Sequence, residues 1–293
     1  VAADLLSKDS KEESRDQLLF LFDRGMALQL AGRYKESTKD WIRADQISEV
    51  KDYTSLSQEV GALVTSENLK DYKGEDFEKV LINAFTAISY VLDGNYEDAL
   101  VECRRVNNKL QRYRIEAKRN YEQNPFARYL SGLIWEAKGD YENAYIDYKL
   151  ASSLVPSYGY LQKDLLRLAK RLDRQEDLKK WRAEFGDQEV TPPSEERSTG
   201  EVVVIYQQGR IAVKRPHPSD YRFPKFFYVP SNTQQMRVEV EKLGITETSQ
   251  KIYSASEVAI KTLDDAYLAL VAKRIAGTIV KNKISEVQSK DFF

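Results

Sequence analysis

The chain has 293 residues, of which 42% are hydrophobic and 31% charged, enough apolar content to bury a sizeable core. Its 45 basic and 46 acidic residues leave a net charge of −1, which argues against bulk nucleic-acid or anionic-membrane binding as the main activity. One Cys and one His exclude an intrachain disulfide framework and the usual zinc sites, and no apolar run approaches the ~20 residues of a membrane span.

In chain order, the first elements are helical pairs that turn at Gly32-Arg33-Tyr34, Gly94-Asn95-Tyr96 and Gly139-Asp140-Tyr141. The third pair runs from about Pro125 to Pro156. Gly132 precedes its turn glycine by seven residues, and Ala144, Tyr148, Ala151 and Pro156 follow at five, nine, twelve and seventeen. Small residues at Gly132 and Ala144 suit a close helix crossing, Tyr148 and Ala151 fill the gap to the next helix, and Pro156 ends the unit. This spacing is the tetratricopeptide pattern, an antiparallel helix pair of ~34 residues. The first unit keeps Gly25 and Ala44 with Trp41 in the large-residue slot; the second keeps Ala87 and Ala99 with Cys103 there. The turn glycines lie 62 and 45 residues apart, so the repeats are degenerate. A fourth pair is expected between Tyr160 and Phe185, from the apolar series Leu161, Leu165, Leu168, Leu172 and then Leu178, Trp181, Phe185.

The composition changes at 187–200, where Thr191-Pro192-Pro193-Ser194 reads as a linker. Beyond it Glu201–Tyr206 and Arg210–Lys214, joined by Gln207-Gln208-Gly209, predict a β-hairpin. Phe226–Val229, Met236–Glu241 and Lys251–Tyr253 are further strand candidates. A closing helix is expected with Thr262 and Asp265 as a capping box and Tyr267, Val271, Ile275 and Ile279 along one face. The expected fold is mainly α with a C-terminal α+β part: a helical-repeat domain over 1–186, a linker over 187–200 and a small α+β domain over 201–293.

Several residues invite chemistry. Cys103 could be a reactive thiol beside Arg104, but it sits in a packing slot with no His nearby in sequence, which favours a buried structural thiol. His217, between Pro216 and Pro218, reads as a surface loop residue, since nothing local supplies a nucleophile or an orienting partner. Glu75, Asp76 and Glu78 form an acidic turn opening a helix, explained by capping and the helix dipole; no metal site and no catalytic residue are expected. Arg104, Arg105, Lys109 and Arg112 begin a cationic stretch that continues to Arg114, Lys118 and Arg119. Arg105, Lys109 and Arg112 share a face by spacing, either as a seat for an anionic polymer or as a solvated helix surface. In the tetratricopeptide arrangement the first helix of each pair lines a groove. Here those positions are Leu19, Phe22 and Met26; Leu81, Ala84 and Ile88; and Phe126, Tyr129 and Leu133. Soluble proteins seldom leave such an apolar lining bare, so a C-terminal helix or strand, or a partner peptide, is expected to cover it.

Three stretches together resemble one family: Tyr72–Asn83, opening with Tyr72-Lys73-Gly74-Glu75-Asp76-Phe77-Glu78; Asp98–Asn107, ending with Glu102-Cys103-Arg104-Arg105-Val106-Asn107; and Gly200–Gly209 followed by Ala272–Ala276. In order and character they resemble the tetratricopeptide-containing bacterial envelope lipoproteins of unassigned function. The resemblance spans about Tyr72 to Lys283 and puts Tyr72, Gly74, Glu78, Glu102 and Asn107 forward as motif residues. It implies a lipid anchor upstream of Val1 on the periplasmic side of the outer membrane. It implies a non-enzymatic scaffold that binds an envelope protein, such as another lipoprotein, without cofactor or nucleic acid. A binder of an anionic envelope polymer (peptidoglycan, polysaccharide or lipid headgroup) is the alternative, and an enzyme acting on cell-wall material stands third.

Overall fold

A computed structural model describes residues 2–7, 14–58, 72, 74–116, 124–186, 201–221 and 223–265, with 267 and 271. It is mainly helical, with a small C-terminal part made of two short antiparallel hairpins and one helix. The chain divides into two compact units, each drawing on both the helices and the later chain: Val1–Asp93 with Ala212–Phe227 and Glu257–Phe293, and Gly94–Ile211 with Tyr228–Ser256.

In the first unit, α1 (Ala2–Leu5) precedes α2 (Gln17–Leu30), α3 (Tyr34–Gln58) and α4 (Asp76–Leu92). Leu18, Leu21, Trp41, Ala44 and Ile82 form the core, and Phe22, Met26, Ile47, Tyr72 and Phe85 pack against it. Trp41 stacks on Phe85 at 5.4 Å between ring centroids. It also comes within 2.9 Å of where a Cβ on Gly25 would stand, so only glycine lets α2 and α3 cross this closely. Beneath that crossing a polar chain links three helices: Gln29 donates to Ser89 Oγ at 2.7 Å, and Ser37 donates to the Gly25 carbonyl at 2.8 Å. Strand β1 (Val213–Pro216) pairs antiparallel with β2 (Pro224–Phe227), Val213 opposite Phe227 and Pro216 opposite Pro224.

In the second unit, α5 (Tyr96–Glu116), α6 (Pro125–Ala137), α7 (Tyr141–Leu154), α8 (Gly159–Arg171) and α9 (Gln175–Phe185) follow one another. Asn124 caps α6, accepting from Ala127 N at 3.0 Å with Pro125 at the first helical position, and Asp140 caps α7 the same way through Asn143 N at 3.1 Å. The core joins Ala144, Tyr145, Tyr148 and Ala151 of α7 to Leu161, Leu165 and Leu168 of α8 and Leu178 and Trp181 of α9. Pairs α6–α7 and α8–α9 turn alike. After α6, Gly139 takes φ +79 and Asp140 N returns to the Trp135 carbonyl; after α8, Asp173 takes φ +52 and Arg174 N returns to the Ala169 carbonyl. Strand β3 (Arg237–Val240) pairs with β4 (Ile245–Thr248) through a turn at Gly244, φ +63.

The C-terminal strands depart from the sequence expectation. The 201–206/210–214 hairpin does not form; all residues of 201–211 are exposed, and the hairpin sits instead at β1–β2, where the buried Ala212 immediately precedes β1 and the buried Phe223 immediately precedes β2. Val202–Ile205 is an unbroken β-branched run without polar alternation, so it offers no single face to bury, and strand propensity takes effect only where a packing surface exists. Lys251–Tyr253 is not a strand, whereas 245–248, which lacks a period-two apolar pattern, is β4. The closing helix, α10, is described over 255–265, so Thr262 lies in its interior and donates to the Val258 carbonyl at 2.8 Å rather than capping it. The linker at 187–200, Ala272–Ala276, Ile275, Ile279, Lys118 and Arg119 fall outside the described residues.

Candidate functional site

The groove positions divide between the units. In the first, Leu19 is exposed, Phe22 and Met26 are half-buried against the Trp41 core, Leu81 is half-buried, and Ala84 and Ile88 are buried. In the second, Phe126, Tyr129 and Leu133 are half-buried, the last two packed on the α7–α8 core. Most of this lining is therefore engaged in its own helical core.

What the second unit presents around Tyr129 is a tyrosine ladder backed by charge. Ring centroids run from Tyr148 to Tyr129 at 5.3 Å, to Tyr158 at 5.6 Å and to Tyr160 at 5.9 Å. Tyr129 donates to Asp164 Oδ2 at 2.5 Å, and Tyr148 donates to Glu136 Oε2 at 2.8 Å. Arg167 joins the two acids, donating through Nη2 to Glu136 and to Asp164 at 2.9 Å each, and through Nη1 to Glu136. Burial pushes the Asp164 carboxyl above the usual range, and Arg167 and Tyr129 pull it partly back. Burial alone would lower Arg167, but Glu136 and Asp164 together raise it, so its charge is fixed. Burial also raises Tyr129 and Tyr148, and lifts Tyr158 to about 12. These phenols stay protonated donors at neutral pH.

The outer rung of the ladder holds an extended piece of the same unit. Tyr160 Oη donates to Glu247 Oε2 at 2.9 Å and to the Thr248 carbonyl at 3.2 Å, while Gln250 Oε1 accepts from Gly159 N, the first residue of α8, at 3.1 Å. No described residue from Tyr228 to Lys251 is buried. This excursion is thus held at the ladder by a carboxylate, a carbonyl and an amide oxygen rather than by an apolar core.

Beside the ladder, α5 to α7 share a second buried polar centre. Asp147, 3% exposed, accepts from Ser131 Oγ at 2.6 Å and Asn107 Nδ2 at 3.1 Å and lies 3.6 Å from Arg128 Nη1. Burial raises its carboxyl against those three partners. Asn107, put forward as a motif residue, therefore ties α5 to α7. Cys103 lies in the same environment. Burial pushes its thiol up to about 12, so it is a packed, protonated group.

The cationic stretch does not form one solvated face. Arg104 lies over the Trp135 ring at 5.2 Å, Arg105 and Arg112 are exposed, and Lys109 is buried. Glu102, also buried, faces Arg105 at 3.6 Å. In the first unit the remaining motif residues build the start of α4. Gly74 takes φ +79 with its Cα hydrogens facing Leu18, and Glu78 accepts from Glu75 N at 2.7 Å and from Tyr72 Oη. Burial raises the Glu78 carboxyl and the Tyr72 phenol. Glu75 also meets Lys214 of β1 at 2.7 Å. His217 is half-buried and accepts from Ser219 N at 3.2 Å, near the Tyr267 ring.

Sequence reasoning missed Glu136, Asp164 and Arg167, because a carboxylate or guanidinium at helical spacing reads as surface charge until the neighbouring helix is in place. It also missed a cleft of about 400 Å³ lined by Gln17, Leu21, Arg24, Glu36, Lys39, Asp40 and Arg43, in which Arg24 Nη1 donates to both carboxylate oxygens of Asp40, at 2.7 and 2.8 Å. Among the described residues no cluster of His, Cys, Asp and Glu could hold a metal ion, and no helix is long and apolar enough to cross a membrane. The chain matches no protein-family model, and no curated protein matches it significantly.

Proposed function

We propose that the chain is a tetratricopeptide-like protein that acts as a non-enzymatic scaffold of the bacterial cell envelope, taking an extended segment of a protein partner along the Tyr129–Tyr158–Tyr160 ladder. The repeat reading draws support from the α6–α7 and α8–α9 pairs: their left-handed turn residues, Gly139 and Asp173, stand 34 positions apart. The observation that carries the functional reading is the contact of Tyr160 and Gly159 with Glu247, Thr248 and Gln250. A surface that holds an exposed strand by one carboxylate and one main-chain carbonyl has the chemistry to hold a partner strand in the same way. Placement at the periplasmic face of the outer membrane, through a lipid anchor, rests on the resemblance to envelope lipoproteins. The polymer-binding alternative has less behind it, because Lys109 is buried and Arg105 is shared with Glu102.

Site-specific photo-crosslinking in native membranes tests this. A photoreactive residue at the exposed Lys163, whose ammonium lies 6.0 Å from the Tyr160 ring, is expected to yield a discrete protein adduct. The same residue at Ile146, exposed on α7, is expected to yield none. Equal yields at the two positions, or no adduct at Lys163, overturn the proposal.

A further inference from the structure

The cleft between α2 and α3 in the first unit holds about 400 Å³, within the size range of small-molecule sites. Its walls are two helical stripes: Gln17, Leu21 and Arg24 from α2, and Glu36, Lys39, Asp40 and Arg43 from α3. Five of these seven residues carry charge and Leu21 is the one apolar member, so the cleft is no seat for an apolar ligand. Its two acids are already neutralised. Arg24 Nη1 donates to both oxygens of Asp40, and Arg33, from outside the lining, donates to both oxygens of Glu36, each pair at 2.7 and 2.8 Å. Lys39 and Arg43 are exposed and, among the described residues, have no hydrogen bond or ion pair. They stand at i and i+4 on α3, where like charges repel. Arg24 adds a fixed donor. Its side chain is 12% exposed, its Nε donates to the Ala3 carbonyl at 3.3 Å and its Nη1 is taken by Asp40, while Nη2 makes no hydrogen bond to a described residue. A guanidinium held in this way, with one nitrogen unused, loses little freedom when it bonds an oxyanion.

We propose that this cleft binds a small organic dianion through a phosphate or carboxylate group, with Arg24 Nη2 donating to the group and Lys39 and Arg43 supplying the opposing charge. Charge selects the class. With Asp40 and Glu36 each tied to an arginine, the two unpaired cations are the net field of the cleft, and a dianion both matches it and relieves the repulsion between them. Size selects the rest of the ligand. Inorganic phosphate is far smaller than the cleft, so the charged group is carried on a larger polar body that reaches along the wall to Gln17. Phosphate and carboxylate share the chemistry used here, oxygen acceptors in a charged group, and the experiment separates them. The site lies in the first unit and stands without the tyrosine ladder of the second.

Calorimetric titration of the full chain at fixed ionic strength tests this, with glycerol 3-phosphate and succinate as probes. At least one of them is expected to bind with a Kd of about 1 mM or tighter, and the tighter of the two identifies the group. Lys39→Gln combined with Arg43→Gln is expected to weaken that binding at least about ten-fold. Its far-ultraviolet circular dichroism and urea midpoint should be no lower than the parent's, since both side chains are exposed and their removal relieves a like-charge pair. Lys170→Gln combined with Lys179→Gln makes the same charge change at exposed positions of the second unit and is expected to leave binding unchanged. Binding of neither probe overturns the proposal. So does binding that survives the Lys39 and Arg43 substitutions, or binding that the Lys170 and Lys179 substitutions weaken as much, because the anion then answers to overall charge and not to the cleft. None of these outcomes bears on the crosslinking expected at Lys163, so this site and the partner surface around Tyr160 fail separately.

Discussion

The Tyr148 ring lies so close to Gly132 that a Cβ on the glycine would stand 2.3 Å from Cε1 and 2.4 Å from Cδ1. The ring cannot swing away, since its hydroxyl donates to Glu136 and Tyr129 packs beside it. Gly132→Ala gains about 1 kcal/mol of helix propensity but forces overpacking that costs ~1–3 kcal/mol, so it should lower stability. Gly25→Ala, with 2.9 Å to a Trp41 ring packed against Phe22 and Phe85, should also lower stability, but by less. Urea midpoints of the two variants check the order; a Gly132→Ala protein as stable as the parent contradicts the packing argument.

The α8–α9 turn uses Asp173 at φ +52 where the α6–α7 turn uses Gly139 at φ +79. A non-glycine residue in this region carries a cost of ~1 kcal/mol, partly offset by the greater chain entropy that glycine loses on folding. Asp173→Gly should therefore raise stability by about 0.5 kcal/mol, and Gly139→Asp should lower it by about as much or more. Chemical denaturation of the pair should give opposite signs.

Glu78 provides the pH prediction. Its folded carboxyl is raised by burial, so the folded state holds its proton to higher pH than the unfolded state does. The contribution of this group to stability is greatest below the ordinary carboxyl value of 4.5 and declines as pH rises through the raised folded value. Glu78→Gln keeps an acceptor for Tyr72 and for Glu75 N without the charge, so its stability relative to the parent should improve from pH 4 toward pH 7. Glu78→Ala removes the cap and should cost ~0.5–2 kcal/mol at both ends. Thermal melts across that range decide; a Gln variant whose relative stability falls with pH is against the assignment.

Tyr160→Phe removes the donor to Glu247 and Thr248 and leaves the ring in place. Each lost bond is worth about 1 kcal/mol or less at this exposed position. Amide exchange across Ile245–Gln250 should accelerate several-fold, with α6 and α8 unchanged. Uniform exchange throughout the unit would show that the ladder does not hold the strand.

Cys103 should be chemically silent. With a thiol lifted to about 12, only about one molecule in ten thousand is thiolate at pH 8, and the sulfur is buried. Alkylation should proceed only as fast as the protein unfolds. Rapid labelling of the native protein would place the sulfur at the surface.

The helical part was legible because its determinants are local. Gly32, Gly94 and Gly139 each take positive φ at the expected turns, and Leu161, Leu165, Leu168, Leu178 and Trp181 share one core as their spacing indicates. The C-terminal part was not. Val202–Ile205 has high strand propensity but no surface to pack on, whereas Ile245–Thr248 pairs despite an unremarkable pattern, because strand pairing is settled by partners distant in sequence. The site was only partly visible for the same reason. Tyr129 could be placed on the inward side of α6 from its distance to the turn, but its partner Asp164 lies 35 residues away on α8, and nothing in the local pattern marks that acid as buried.

The excursion from Tyr228 to Lys251 has practical value for handling the molecule. Its tip, Glu241–Gly244, is exposed at each position, with Leu243 70% exposed, and turns on a glycine with no atom within 4 Å of its missing Cβ. A tip of this kind tolerates inserted sequence. An epitope or a small fluorescent reporter placed between Leu243 and Gly244 would travel with the protein while leaving both ends of the chain untouched.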